Sequence, residues 1–193
     1  IDVNLDGVLD IVGGGYWFEH TSGTNFTSHP IDVNYGFSRS AGGDLIAGGY
    51  PEVVISSGDT DGPLNLYQFD GTNWTSTSLL GGQTLIHAHS LQVRDINNDS
   101  NLDIFVAEMG LTTADPRMWV LLGDGAGNFT ETLLSSGYAN HESKLGDFDG
   151  NGIVDILQKP FTLGAPGMGV WLQDIDSVAP GSDTRSLDDW QRH

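Results

Sequence analysis

Cysteine is absent from the 193 residues, which excludes a disulfide framework and a thiol active site. Basic side chains are scarce: seven Lys and Arg face 26 Asp and Glu, for a formal charge of −19. Such a chain lacks the basic surface that a nucleic-acid backbone requires. No run approaches the roughly 20 apolar residues of a membrane span. No window sustains the apolar stripe of an amphipathic helix, so alternation of period two, β-branched residues and Gly/Asn turns leave an all-β reading.

What the chain has in abundance is Asp, 21 residues against five Glu, and much of it is regularly placed. Three nine-residue stretches repeat one pattern: Asp2–Asp10, Asp95–Asp103 and Asp147–Asp155. Acids or amides fall at the first, third, fifth and ninth positions. They are Asp2, Asn4, Asp6 and Asp10; Asp95, Asn97, Asp99 and Asp103; Asp147, Asp149, Asn151 and Asp155. A tight turn with hard oxygens at every second residue is what a calcium ion needs, whereas magnesium demands a stiffer shell and keeps its water. The seventh residue (Val8, Asn101 or Ile153) varies in kind and is expected to offer its backbone carbonyl. Gly7 and Gly152 stand where the turn is tight, and Ser100 replaces glycine in the middle loop. A single loop of this sort reads as an Asp/Asn turn capping its own backbone; three at matched places read as structural calcium sites. Three calcium ions would reduce the charge to about −13. Sites of this kind fill at the millimolar calcium found outside cells, so a secreted or periplasmic setting is expected.

Aligned on the first Asp, the chain divides into four units of approximately 1–34, 35–86, 87–138 and 139–193. The second unit is degenerate, because Asp44–Glu52 keeps only its terminal acids. Starts at 2, 44, 95 and 147 give a period that suits a four-stranded propeller blade. In each unit one strand precedes the loop and three follow. The first unit begins at its loop and lacks the leading strand. The chain therefore reads as an arc of a larger toroid of about seven blades, with a complete small propeller as the alternative. Trp17, Trp119 and Trp171 recur at one blade position and are expected to pack between blades. Tyr16, Tyr35 and Tyr50, set among glycines, suit stacking on a sugar ring.

The loops, their flanking strands and the turn Gly123-Asp-Gly-Ala-Gly-Asn-Phe129 resemble the FG-GAP, or VCBS, repeats of calcium-binding β-propellers. Related repeats occur in integrin alpha-chain headpieces, propeller lectins and secreted microbial proteins. The resemblance implies calcium in three units and none in the second. The segments His87-Ala-His-Ser-Leu91 and Phe105-Val-Ala-Glu-Met109 are also similar to the propeller domain of fungal aldos-2-ulose dehydratases.

A ligand is expected at the rim opposite the loops. His89 and His141 each lie six residues before a loop, so they occupy equivalent positions on neighbouring units. His87, Glu142, Tyr35 and Arg39 fall nearby, as do Glu108 and Lys159 past the ninth Asp. Three histidines with Glu108 or Glu142 suit a second divalent metal such as zinc. Alternatively, His89 or His141 serves as a base, with Glu108 and Lys159 assisting, in a sugar lyase or dehydratase. The reading preferred over that chemistry is a module that recognises carbohydrate or an extracellular protein surface, beside other domains of a longer chain.

Overall fold

The computed structural model describes residues 1–161, 168–173 and 190–193. Its fifteen described strands form four antiparallel sheets in chain order. The first holds three strands: β1 (Ile11–Gly13), β2 (Tyr16–Ser22) and β3 (Asn25–Pro30). The second runs β4 (Arg39–Gly43), β5 (Glu52–Ser56), β6 (Asn65–Phe69) and β7 (Trp74–Ser78). A 3₁₀ turn at Leu80–Gly82 leads to the third: β8 (Ala88–Arg94), β9 (Asp103–Glu108), β10 (Arg117–Gly123) and β11 (Phe129–Ser136). The fourth comprises β12 (Lys144–Gly146), β13 (Asp155–Gln158), β14 (Gly169–Gln173) and β15 (Trp190–Arg192). Four sheets of three or four strands agree with four repeat units. No described helix is long and apolar enough to cross a membrane.

The sheets stack face to face, and strand alternation explains how. In β9, Ile104 and Val106 join Leu45, Val54, Leu66 and Trp119 in a core between the second and third sheets. Phe105 and Ala107, on the opposite face, join Met118, Val120, Ile156 and Trp171 between the third and fourth. Because both faces are covered, β9 is buried at every residue and reads as a continuous apolar run. Each fully buried Ile, Val or Phe contributes about 1.5–3 kcal/mol, so this strand anchors the stack. Trp119 and Trp171 take the packing role expected of them. Trp17 is also buried and stacks on His29 at a ring separation of 4.4 Å. The strands that open successive sheets lie side by side, β4 against β8 and β8 against β12, with β1 against β4. The starts of β4, β8 and β12 therefore converge on one rim, and the acidic loops, from one of which β1 emerges, hang from the other end.

Candidate functional site

The three acidic loops share one backbone. The fourth residue (Leu5, Asn98, Gly150) and the sixth (Gly7, Ser100, Gly152) all take positive φ, from 59° to 89°. Sequence reasoning noticed only the sixth. These reversals turn the amides of the loop inward onto the first Asp. Asp147 accepts from the N–H groups of Gly150 (2.7 Å), Asn151 (3.1 Å) and Gly152 (2.9 Å). Asp2 and Asp95 accept from the corresponding fifth and sixth residues.

The ninth acid does something that sequence spacing did not disclose. Asp103 is fully buried, and its two oxygens accept from Ile96 N–H (2.7 Å) and Gly123 N–H (2.9 Å). Asp10 takes Val3 and His20 in the same way, and Asp155 takes Phe148 and Gln173. The ninth residue therefore ties the loop to the end of the third or middle strand of its sheet. Burial pushes the Asp103 carboxyl up to about 6, and the nearby Asp99 and Asp95 charges add to the shift.

Each loop carries three carboxylates and one amide at its first, third, fifth and ninth positions. In the last loop the Asp and Asn at the third and fifth positions exchange places, so the charge is kept. Carboxylate oxygens of Asp147, Asp149 and Asp155 lie within 4.8 Å of one another, the one such triad of acidic or histidine ligands among the described residues. This donor set suits a hard divalent cation. The second unit is held differently. Glu52 accepts from Leu45 and Ile46 N–H, Ala47 N–H donates to Gly125 O at 2.8 Å, and Ile46 pairs with Ala126 of the next unit's turn. Contact with a neighbouring turn stands where the other loops carry their acids.

At the opposite rim, His89 and His141, which spacing places at equivalent positions of neighbouring units, lie against each other. Their rings stack with centroids 4.4 Å apart and planes 15° from parallel. Phe37 continues the row beyond His89, and Phe161 closes it edge-on against His141. These four rings, with Asp59, Met109 and Leu111, line a cavity of about 470 Å³. Three sheets supply it: Phe37 and His141 precede a first strand and His89 lies at the start of one, whereas Asp59, Met109, Leu111 and Phe161 follow a second strand.

Hydrogen bonding separates the two histidines. His89 is buried, with Nδ1 2.9 Å from His141 O and Nε2 2.9 Å from an Asp59 oxygen. These two neighbours are acceptors, and Arg39 Nη2 lies 2.7 Å from Nδ1 and 2.8 Å from Nε2 as well, so both ring nitrogens are engaged. Arg39 packs across it, donating from Nε to His89 O (2.9 Å) and from Nη2 to Glu142 (2.9 Å). His141 Nδ1 faces Lys159 Nζ at 3.4 Å and accepts from it, which places the remaining proton of a neutral ring on Nε2. Burial lowers the His141 pKa, and the neighbouring His89 and Lys159 reinforce the shift, which favours the neutral ring. For Glu142, burial works to raise the pKa, but the Lys144 hydrogen bond and the charges of Arg39 and Lys144 outweigh it and lower it.

Other residues singled out from the sequence go elsewhere. Glu108 is fully buried and grips Arg117, with Oε1 2.6 Å from Nη2, while accepting from Ile86 and Arg117 N–H. His87 adopts φ of 48°, bonds Thr112 and does not line the histidine cavity. Tyr35 lines a neighbouring cavity of about 300 Å³ with Asp32 and Asn65, where its hydroxyl accepts from Asn65 at 3.0 Å. The expected zinc set of His87, His89 and His141 with Glu108 or Glu142 is not assembled among the described residues. The reason is local: Arg117 holds Glu108, His87 turns away, and both His89 nitrogens are occupied.

Asp59 was missed because it lies in Ser57-Gly-Asp-Thr-Asp-Gly-Pro63, which reads as an ordinary turn. Phe37 and Phe161 were missed because neither belongs to a repeated position. The signal that would have found them is topological: every segment after a second strand returns to the same rim.

A family model described as an FG-GAP-like repeat matches residues 95–157. The match begins at the first Asp of the third unit's loop and ends in β13. No curated protein matches the chain.

Proposed function

We propose that the chain is a calcium-stiffened propeller module, secreted or periplasmic, that binds carbohydrate at the cavity built around His89 and His141. The observation that carries this reading is the row of Phe37, His89, His141 and Phe161 along a 470 Å³ recess. Ring faces pack against the C–H faces of a sugar, and the volume lies within the range of small-molecule sites. The Nε2–H of neutral His141 supplies a directional donor for a hydroxyl or ring oxygen. Unit divisions near residues 34, 86 and 138 are retained, and each is taken as one blade.

Calcium suits the three loops because each offers hard oxygens carrying three negative charges on a pre-bent backbone. Asp2, Asn4, Asp6 and Asp10 would hold one ion, with the corresponding residues of the other two loops holding the rest, Asn101 among them. The ion would neutralise charges that otherwise repel across a nine-residue turn. Binding is preferred over lyase chemistry because His89 lacks a free nitrogen and Glu108 is committed to Arg117.

Replacing His89 and His141 together by Ala is expected to abolish glycan binding on an array while leaving the calcium-dependent rise in melting temperature intact. Unaltered binding by the double variant would remove the rim from consideration. Retention of a protein partner with loss of no glycan would identify a protein ligand instead.

A further inference from the structure

The chemical class of the ligand can be narrowed from the distribution of positive charge, an inference that rests on the rim being the binding site. Only seven Lys and Arg occur in the chain, yet Arg39, Lys144 and Lys159 gather beside the two rim histidines. Arg39 and Lys144 share one carboxylate, Glu142, at 2.9 Å and 3.3 Å. Asp59 is directed at His89. Lys159 has no carboxylate within 4.0 Å among the described residues, and its ammonium instead faces a neutral imidazole nitrogen. In a chain of charge −19, an ammonium set against the cavity-lining His141 with no carboxylate beside it among the described residues is conspicuous.

We infer that the sugar taken at this rim carries an oxyanion, a uronate carboxylate or a sulfate ester, received by Lys159 together with the Nε2–H of His141. The Lys159 to His141 contact fixes the ring so that its proton-bearing nitrogen is the one left for the ligand. Ammonium and N–H then act on one anionic group as charge-assisted donors. Glu142 plays the complementary part: by holding both Arg39 and Lys144 it leaves Lys159 as the one of the three without a carboxylate among the described residues, which sets the position of the anion along the row of rings. Asp59 lies on the His89 side of this cavity and the neighbouring cavity bears Asp32 and Asp61, so carboxylate repulsion directs the anionic end of the sugar to the Lys159 side.

The test is a glycan array of uronate-bearing, sulfated and neutral oligosaccharides, with carboxyl-reduced counterparts of each uronate, probed with the full chain in calcium. Binding is expected only to anionic glycans and to fall with added salt. The uronate and sulfate arms then identify which oxyanion is used. Lys159→Gln should weaken that binding about tenfold or more, the loss expected for one charge-assisted hydrogen bond, and Lys159→Arg should restore most of it. Equal binding to carboxyl-reduced and native glycans, or full binding by Lys159→Gln, would overturn the anionic assignment. The cavity itself would still stand in that case, as judged by the His89 and His141 double variant. No glycan bound by either protein would overturn both.

Discussion

Protein stripped with a chelator and returned to excess calcium should melt roughly 15–30 °C higher than the stripped form. A ligand bound only by the folded chain adds RT ln(1 + [L]/Kd), about 2.7 kcal/mol per site at a hundredfold excess over Kd, or about 8 kcal/mol for three sites. In a chain of this size each kcal/mol moves the melting temperature by about 2–4 °C. The physical source is repulsion, because each loop crowds three carboxylates into nine residues; burial pushes the Asp103 carboxyl up to about 6, and the Asp99 and Asp95 charges add to that shift. Magnesium at the same concentration should give a much smaller rise, since the loop would have to close into a rigid octahedron.

Substitution can separate the ion from the turn that holds it. Asp147→Asn keeps one oxygen to accept from Gly150 and Asn151 but removes a charge. Bound calcium should fall from three ions to two, and the thermal gain should drop by about one third. Asp103→Ala should instead be costly with or without calcium, because it leaves the Ile96 and Gly123 amides buried and unpaired at about 1–3 kcal/mol each. The second unit provides an internal comparison. Its loop is held by Ala47 and Ile46 against the next turn, so Asp44→Asn should leave the calcium count unchanged. A melting temperature indifferent to calcium would show that the loops are turns and nothing more.

The strand order was legible because every strand in this chain announces itself twice, once by alternation and once by its place in the repeat. The loop that precedes β9 and the run Asp103–Glu108 illustrate this: spacing alone located both, and the structure stacks them where the repeat requires. The equivalence of His89 and His141 was legible for the same reason, since both lie at equal distance before equivalent loops; that their rings touch depends on how neighbouring sheets are set, which spacing does not carry. What spacing cannot convey is the partner across a sheet. Glu108 looked available because it ends a strand near the rim, but Arg117 on the next strand is its neighbour, and pairing across β9 and β10 decided its role. Asp59 and Phe161 lay hidden in connecting segments whose sequences do not repeat. Their position follows from where the strands end, which only a three-dimensional arrangement supplies.

That pairing makes Glu108→Ala the single substitution with the largest expected loss of stability. Glu108 is fully buried, receives the Arg117 guanidinium through Nε and Nη2, and accepts the amides of Ile86 and Arg117. Removing it leaves a partly exposed guanidinium without its carboxylate, hydrogen-bonded to Gln83 and Thr84 alone, and leaves two amides without acceptors. Breaking a buried pair in this way costs about 3–5 kcal/mol. Glu108→Gln should cost less, because its one carbonyl oxygen retains an acceptor for one of those amides while the charge is lost. Arg117→Met should fall in the same range as Glu108→Ala, since it leaves the carboxylate uncompensated and also removes the guanidinium packed over Trp119. Urea denaturation of the calcium-loaded proteins would read all three. Were Glu108 a participant in chemistry at the rim, Glu108→Gln would leave the denaturation midpoint unmoved and change only what the cavity does. A large fall in the midpoint, with glycan binding retained by the fraction that stays folded, places Glu108 in the framework that holds Ala88 and His89 at the cavity wall.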